Sequence, residues 1–564
     1  MTQPEDNVKL GLALSGGGFR SAFFHVGVLA RLAEADILRR VDVISSVSGG
    51  SIIAAYYYLK VKALLEDASG EAPGRAAYIR LVREIERDFL GAVQKNMLIR
   101  TFLDPVKNSR MRAADFSNTE RLGELLTKYF YLPLLEGSGK DKKNRIPLKD
   151  IAISPPARHL EDGARVPKLI LNCTCLNTGH LWQFTDESAG EHPTMDEAGH
   201  DIGFLEKFRM DDHRLTIEQR KILYNVTLGQ AVAASCCVPG IFEPLMIRHL
   251  YKNGGRPMTV RLADGGLVDN QGLASLFVGE CTHIICSDAS DILTFEREPS
   301  IQFLDAAMRA NDILLDRIRS KSLKELFAYG PSAHLLFDLG DHDTRDHVLG
   351  EDSAELVTAL TRIRTDLDSF TDREADTLMY YGYQLSTQVM EKSDFALIGD
   401  NTPEPGDWRF LAVRDLFLTD AAKRRELLYH LEVGARQMFK AFLFKKPMPY
   451  LILLPLPTLL GLVMLYLLFS MSPLLFWGLL LVSGLGLATS QNHKILKLMD
   501  NVAFLSRMKR RTLKAVVALR LPEPFSYVLA LGSWIQLTLF DPLFLKYGRI
   551  RKPSDEPGTA KNRR

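Results

Sequence analysis

The sequence has little of what would place it in several common classes. Of 564 residues only six are cysteine. Cys173, Cys175, Cys236, Cys237, Cys281 and Cys286 form three close pairs, mostly within apolar runs, and none has CxxC or Cys/His metal spacing. A structural disulfide framework is therefore not expected, and the six read as buried packing thiols. Met1 to Asn7 is polar and acidic and lacks the basic and apolar regions of a secretory signal, so the front of the chain is expected to stay in the compartment where it is made. Neither G-x-G-x-x-G nor G-K-[ST] occurs at the glycine-rich loop, which weakens a nucleotide-phosphate reading of that loop. There is no internal repeat and no long low-complexity segment. No metal, no cofactor and no nucleic-acid partner is expected.

What is present is unevenly spread. A chain of this length exceeds one ordinary core, so several regions are expected. The net charge of +2 hides a division: Gln491 to Arg564 carries fifteen basic and five acidic residues, a net +10, leaving −8 for residues 1 to 490. Val8 to Leu14 is an apolar run that enters Ser15-Gly16-Gly17-Gly18-Phe19-Arg20 and then a helical pattern over Ala22 to Ala35. Val41 to Val47 is a β-branched run closed by Ser48-Gly49-Gly50, and Ser51 to Leu59 again has helical spacing. This βαβα alternation, with further strand-like runs at Lys168 to Cys175 and Thr282 to Ser287, implies an α/β fold. Its mostly parallel central sheet should be covered by helices, with ligands at the carboxyl ends of the strands.

The catalytic region is expected to extend to about residue 390, with residues 60–165 a charged helical insertion serving as a cap or lid. Residues 391–446 read as a helical connector. Tyr450 to Ser470 and Pro473 to Ala488 are almost uncharged apolar runs joined by two residues and flanked by Lys445, Lys446, His493, Lys494 and Lys497. A transmembrane hairpin over residues 447–490 follows, with both ends cytoplasmic. Residues 491–564 read as a basic, amphipathic and interfacial region, in which Gln536, Asp541 and Pro542 argue against a full crossing by Phe525 to Leu545.

Acyl-ester hydrolysis needs a raised nucleophile, a base and backbone donors aimed at the developing oxyanion. Ser48 has the strand-turn-helix context of a nucleophile elbow, with Ser46 standing where G-x-S-x-G has its first glycine. The glycine loop opens a helix and can face a negative oxygen. Leu262-Ala263-Asp264-Gly265-Gly266-Leu267-Val268-Asp269-Asn270 offers a carboxylate after a strand-like run, although Asp-Gly-Gly alone reads as a turn. Ala234-Ser235-Cys236-Cys237-Val238-Pro239-Gly240-Ile241-Phe242-Glu243-Pro244 precedes it.

Taken in order, the G-G-G-x-R loop, the serine elbow, the A-S-x-x-x-P-x-x-F-x-P segment and the D-G-G aspartate resemble the patatin-like phospholipase family over about residues 8–390. The resemblance implies a patatin-like three-layer sandwich and a Ser48/Asp264 dyad. It implies an oxyanion loop at Gly16, Gly17, Gly18 and Arg20, with Gly50, Gly265 and Gly266 supporting the motifs. The expected activity is hydrolysis of phospholipid, lysophospholipid or other acyl-lipid esters at the membrane through an acyl-serine. A catalytically inactive scaffold or lipid-binding module is the alternative. Twelve of the thirteen histidines follow Ser48, so a three-residue arrangement stays open. His25 reads as a structural histidine and Asp269 as a loop or cap residue.

Overall fold

A computed structural model describes residues 8–444 and 523–550, apart from 68–72, 113–115, 136–144, 155–163, 193–203, 292, 294, 341–352, 398–405, 419 and 437–439. The expected hairpin at 447–490 lies outside the described residues.

Among the described residues, ten strands form one sheet. In chain order they are β1 (Leu10–Leu14), β2 (Val41–Val47), β3 (Lys168–Cys175), β4 (Leu181–Phe184), β5 (Ser188–Glu191), β6 (Phe208–Arg209), β7 (Leu245–Asn253), β8 (Arg256–Asp264), β9 (His283–Asp288) and β10 (His334–Asp338). The spatial order is β10-β9-β1-β2-β3-β4-β5-β6, with β8 also pairing to β3 and carrying β7. From β10 to β3 every pairing is parallel; beyond β3 every pairing is antiparallel. The fold is thus α/β, with a parallel centre whose strands read as near-continuous apolar runs because helices cover both faces. β1 shows this directly, since all five of its residues are buried.

The helices that follow β1 and β2 are α1 (Gly18–Glu34) and α2 (Gly49–Asp67). Every residue of α1 is buried, because it is enclosed by the helices Arg75–Val93 and Asp372–Glu391 as well as by the sheet. Two glycines permit the approach to Asp372–Glu391: a Cβ on Gly27 would lie 2.0 Å from the Met379 carbonyl oxygen, and one on Gly382 2.4 Å from that of Phe24. Glu34, buried at the end of α1, is satisfied by Tyr383 Oη at 2.9 Å and Trp408 Nε1 at 2.7 Å, as a buried carboxylate must be. The stretch expected as a cap or lid supplies core aromatics to this layer. Phe19 meets Phe89 at 6.4 Å and Phe130 at 5.8 Å between ring centroids.

The Ser526–Tyr547 segment is helical, 22 residues long and largely apolar. Gln536 and Asp541 are tied to each other and to Asn96 rather than left in an apolar face. Gln536 Nε2 donates to Asp541 Oδ1 at 2.8 Å, and Asn96 Nδ2 donates to Asp541 Oδ2 at 2.5 Å. Tyr527, Trp534 and Leu539 remain exposed on it.

Candidate active site

Parallel register brings the chemistry to one edge. Leu14 is paired with Ser46 on one side and Ser287 on the other, so the loops after β1, β2 and β9 leave the sheet together. Ser48 is the first residue past β2 and has φ of 51°, a left-handed conformation that is uncommon for a residue with a Cβ and is tolerated where surroundings hold it. Those surroundings leave no room for side chains. A Cβ on Gly49 would lie 1.9 Å from the Gly18 carbonyl oxygen, and one on Gly50 2.3 Å from that of Leu14. Ser46, in place of the elbow's first glycine, is buried, donates to the Ile170 carbonyl at 3.2 Å and accepts from Ser51 Oγ at 3.1 Å. The substitution therefore puts a small side chain where a hydroxyl finds partners.

The carboxylate arrives from the other direction. β2 and β8 share one edge of β3, opposite β4: Val47 pairs with Asn172 and Asp264 with the next residue, Cys173. The end of β2 therefore meets the end of β8, which sets Ser48 beside Asp264; a Cβ on Gly265, the residue after Asp264, would lie 3.2 Å from Val47 Cγ1. Asp264 Oδ1 accepts the Gly266 amide at 2.8 Å. Its Oδ2 is buried and has no hydrogen-bond partner among the described residues. Burial raises the Asp264 carboxyl from 3.8 to about 6, opposed by the Gly266 amide and then by the nearby Ser48 hydroxyl. The Ser48 hydroxyl is near enough to stabilise the carboxylate, yet no well-aligned hydrogen bond joins them. The pair is adjacent and unbonded, an arrangement common in ligand-free sites.

Gly16, Gly17 and Gly18 lie beside the elbow; a Cβ on Gly16 would be 3.2 Å from Ser48 Cβ. Gly17 and Gly18 have φ of 138° and 59°, and both require glycine. The Gly16 amide is committed to the Asn270 carbonyl at 2.9 Å, whereas those of Gly17 and Gly18 make no hydrogen bond among the described residues and open α1. Arg20 is also committed. It donates to the carbonyls of Thr361 at 2.8 Å, Ile363 at 3.2 Å and Ala289 at 2.9 Å, and pairs with Asp291 at 2.9 Å. Of the four residues expected in the oxyanion loop, two therefore have free amides and two serve as its frame. Gly265 and Gly266 crowd the Asn172 carbonyl and the Asn270 side chain, respectively.

His25 is buried beneath the loop, with Nδ1 2.7 Å from Ser287 Oγ and Nε2 3.0 Å from the Ser15 carbonyl oxygen. That carbonyl can only accept, so Nε2 carries the proton and Nδ1 accepts from Ser287. Burial lowers the ring to about 4, keeping it neutral. Asp269 accepts the amides of Gly272 at 3.1 Å and Ala274 at 2.7 Å, which occupies both oxygens as a loop-closing residue.

Ser235 and Asn270, which lie within the motif segments without being singled out there, also build the site. Ser235 accepts the Ser48 amide at 3.0 Å, donates to the Asn172 carbonyl at 2.6 Å and contacts Ser51 Oγ at 2.9 Å. The A-S motif thereby has a physical purpose, which is to tie the elbow to β3. Asn270 packs its side chain between Gly16 and Gly266. Among the described residues no group of three or more His, Cys, Asp or Glu side chains could hold a metal, and all six cysteines are free and buried.

Residues 12–277 match the family described as Patatin-like phospholipase. No curated protein sequence shows significant similarity to the chain. Among solved structures, human GIVD cytosolic phospholipase A2 is similar at 13% identity and a TM-score of 0.36, over 69% of this chain and 60% of that one. Its complex with methyl gamma-linolenyl fluorophosphonate gives 15% identity and a TM-score of 0.34, over 76% and 60%. VipD from Legionella pneumophila gives 15% and 0.27, over 76% and 75%. The chain thus spans about three fifths of the length of the human protein it resembles.

Proposed function

We propose, from the premise that residues 12–277 form a patatin-like phospholipase domain, that the protein is a lipid acyl hydrolase working through an acyl-Ser48 intermediate. The observation that carries the reading is the pairing of a serine in a left-handed turn with a buried carboxylate whose second oxygen has no partner among the described residues.

In the proposed reaction Asp264 Oδ2 takes the proton from Ser48 Oγ as the oxygen attacks the ester carbonyl carbon. The carbonyl π electrons move to oxygen, and the amides of Gly17 and Gly18 receive that charge at the positive end of α1. Collapse expels the alcohol, which leaves with the proton held by Asp264. Water then attacks the acyl-serine, gives its proton to Asp264, and Ser48 Oγ recovers it as the fatty acid departs. His25 takes no part, since its two nitrogens are occupied beneath the loop.

The substrate class is a phospholipid or other acyl lipid, met at a membrane surface. An anchor keeps such a substrate at high effective concentration. The apolar runs at 450–488 and the exposed Tyr527 and Trp534 on the C-terminal helix support membrane attachment, with aromatic side chains suited to the interface. A fluorophosphonate probe tests the mechanism. Peptide mapping should find the adduct on Ser48, Asp264→Asn should slow its formation, and labelling elsewhere with Ser48 untouched would refute the assignment.

A further inference from the structure

The domain match ends at residue 277, yet a run of backbone far beyond it lies against the proposed oxyanion loop. A Cβ on Gly18 would sit 2.2 Å from the Thr365 carbonyl oxygen. The Phe19 amide donates to the Asp366 carbonyl at 3.3 Å, and the Leu98 amide to that of Leu367 at 2.9 Å. Arg20 reaches the carbonyls of Thr361 and Ile363. Residues 361–366 therefore form a strap whose carbonyls face Gly18, Phe19 and Arg20 at the start of α1.

The side chain of Arg364 in the middle of this strap enters a buried cluster instead. Its Nε donates to Asp368 Oδ1 at 2.6 Å, Nη1 to Glu374 and to the Gly434 carbonyl at 2.6 Å, and Nη2 to the Ser369 carbonyl. Lys440 Nζ donates to Asp368 Oδ2 at 2.7 Å. Two cations and two anions are thus enclosed together and balanced. Phe370 lies 4.1 Å from the Arg364 guanidinium, and Phe544, on the C-terminal helix, lies 4.3 Å from Lys440 Nζ. Buried ion clusters are a weak source of stability but fix geometry, and a planar guanidinium fixes more of it than an ammonium can.

We infer that Arg364 is a positioning residue for the oxyanion loop, holding the strap against Gly18 through a cluster that Lys440 and Phe544 complete. The inference rests on the reading that the Gly17 and Gly18 amides bind the oxyanion. It makes segments outside the matched domain, including the C-terminal helix, part of what sets turnover.

The test uses the full chain, with active sites counted by fluorophosphonate titration and kcat and KM measured on a soluble ester. Arg364→Lys should lower kcat per titrated site at least tenfold with KM unchanged, while unfolding stays cooperative above the assay temperature. Phe544→Ala, which keeps all four charges paired, should move kcat in the same direction by a smaller factor. It carries the test alone if Arg364→Lys does not fold. Normal kcat per site with only a lowered Tm would make the cluster merely structural and overturn the inference. Gly17→Val separates the two ideas. If it too turned over normally, the oxyanion reading would fail; if it alone were impaired, only the role of Arg364 would.

Discussion

At the scale of single residues, the site is built from groups held at a cost. Burial raises Asp264 from 3.8 to about 6. The folded value lies above the unfolded one, so the folded protein holds the extra proton between about pH 4 and 6, and stability falls as pH rises through that window. A shift of this size is on the order of 3 kcal/mol. Asp264→Asn should therefore abolish ester hydrolysis while raising Tm at pH 7 to 8, and a lowered Tm would show that the carboxylate is a structural anchor. The same carboxyl must be ionised to act as base, so kcat/KM should rise with pH along an acid limb centred near 6; a flat profile from pH 4.5 to 7.5 would remove Asp264 from the mechanism. Ser48→Ala should lose turnover by several powers of ten, and the double variant little more. Ser235→Ala should be milder. It strips partners from the Ser48 amide and the Asn172 carbonyl, which costs roughly 1 to 3 kcal/mol, and should lower kcat without abolishing labelling of Ser48.

At the scale of elements, much of this is legible in the sequence. The runs at Val8 to Leu14, Val41 to Val47 and Lys168 to Cys175 became β1, β2 and β3 because buried parallel strands are written as unbroken apolar residues. Ser48, Asp264 and the glycine loop could be singled out because elbow turns and positive-φ positions restrict the residues allowed. The strap was not legible. It acts through main-chain carbonyls, which any residue supplies, and it joins α1 from more than three hundred residues away. Nor could spacing reveal that Arg20 would be consumed in holding that strap. The helix pair α1 and Asp372–Glu391 shows a related limit, since Gly27 and Gly382 matter for what they lack. Gly27→Val should meet the Met379 carbonyl, cost about 1 to 3 kcal/mol by overpacking and lower Tm by several degrees. Calorimetry would check this, and an unchanged Tm would mean the helices can separate at little cost. Gly17→Val acts on the site itself. It should reduce kcat about a hundredfold or more with little change in KM, as loss of an oxyanion donor does.

At the scale of the whole molecule, the proposed attachment to lipid rests on segments that are apolar in different ways. The runs at 450–488 carry no charge, whereas the Ser526–Tyr547 helix packs Gln536 and Asp541 inward and leaves Trp534 and Tyr527 outward. The first pattern suits a span and the second a helix lying along a surface. The full chain should accordingly stay with the membrane pellet after alkaline carbonate; release into the supernatant would refute an integral hairpin. The proposed cytoplasmic placement of both flanks should leave Lys494 and Lys497 unlabelled from outside sealed cells.

The β7–β8 hairpin brings Asp264 to Ser48, yet its far end lies at Gly254 and Gly255. These have φ of 57° and 79°, and a Cβ on either would meet nothing within 4 Å. Both central residues are thus left-handed in a two-residue turn between the paired Asn253 and Arg256. The strand carrying the proposed base is in effect a lever with an unencumbered handle. A small fluorophore or a short epitope spliced between the two glycines should be carried without harm to the fold, giving an optical readout wired to the proposed catalytic carboxylate through one continuous strand.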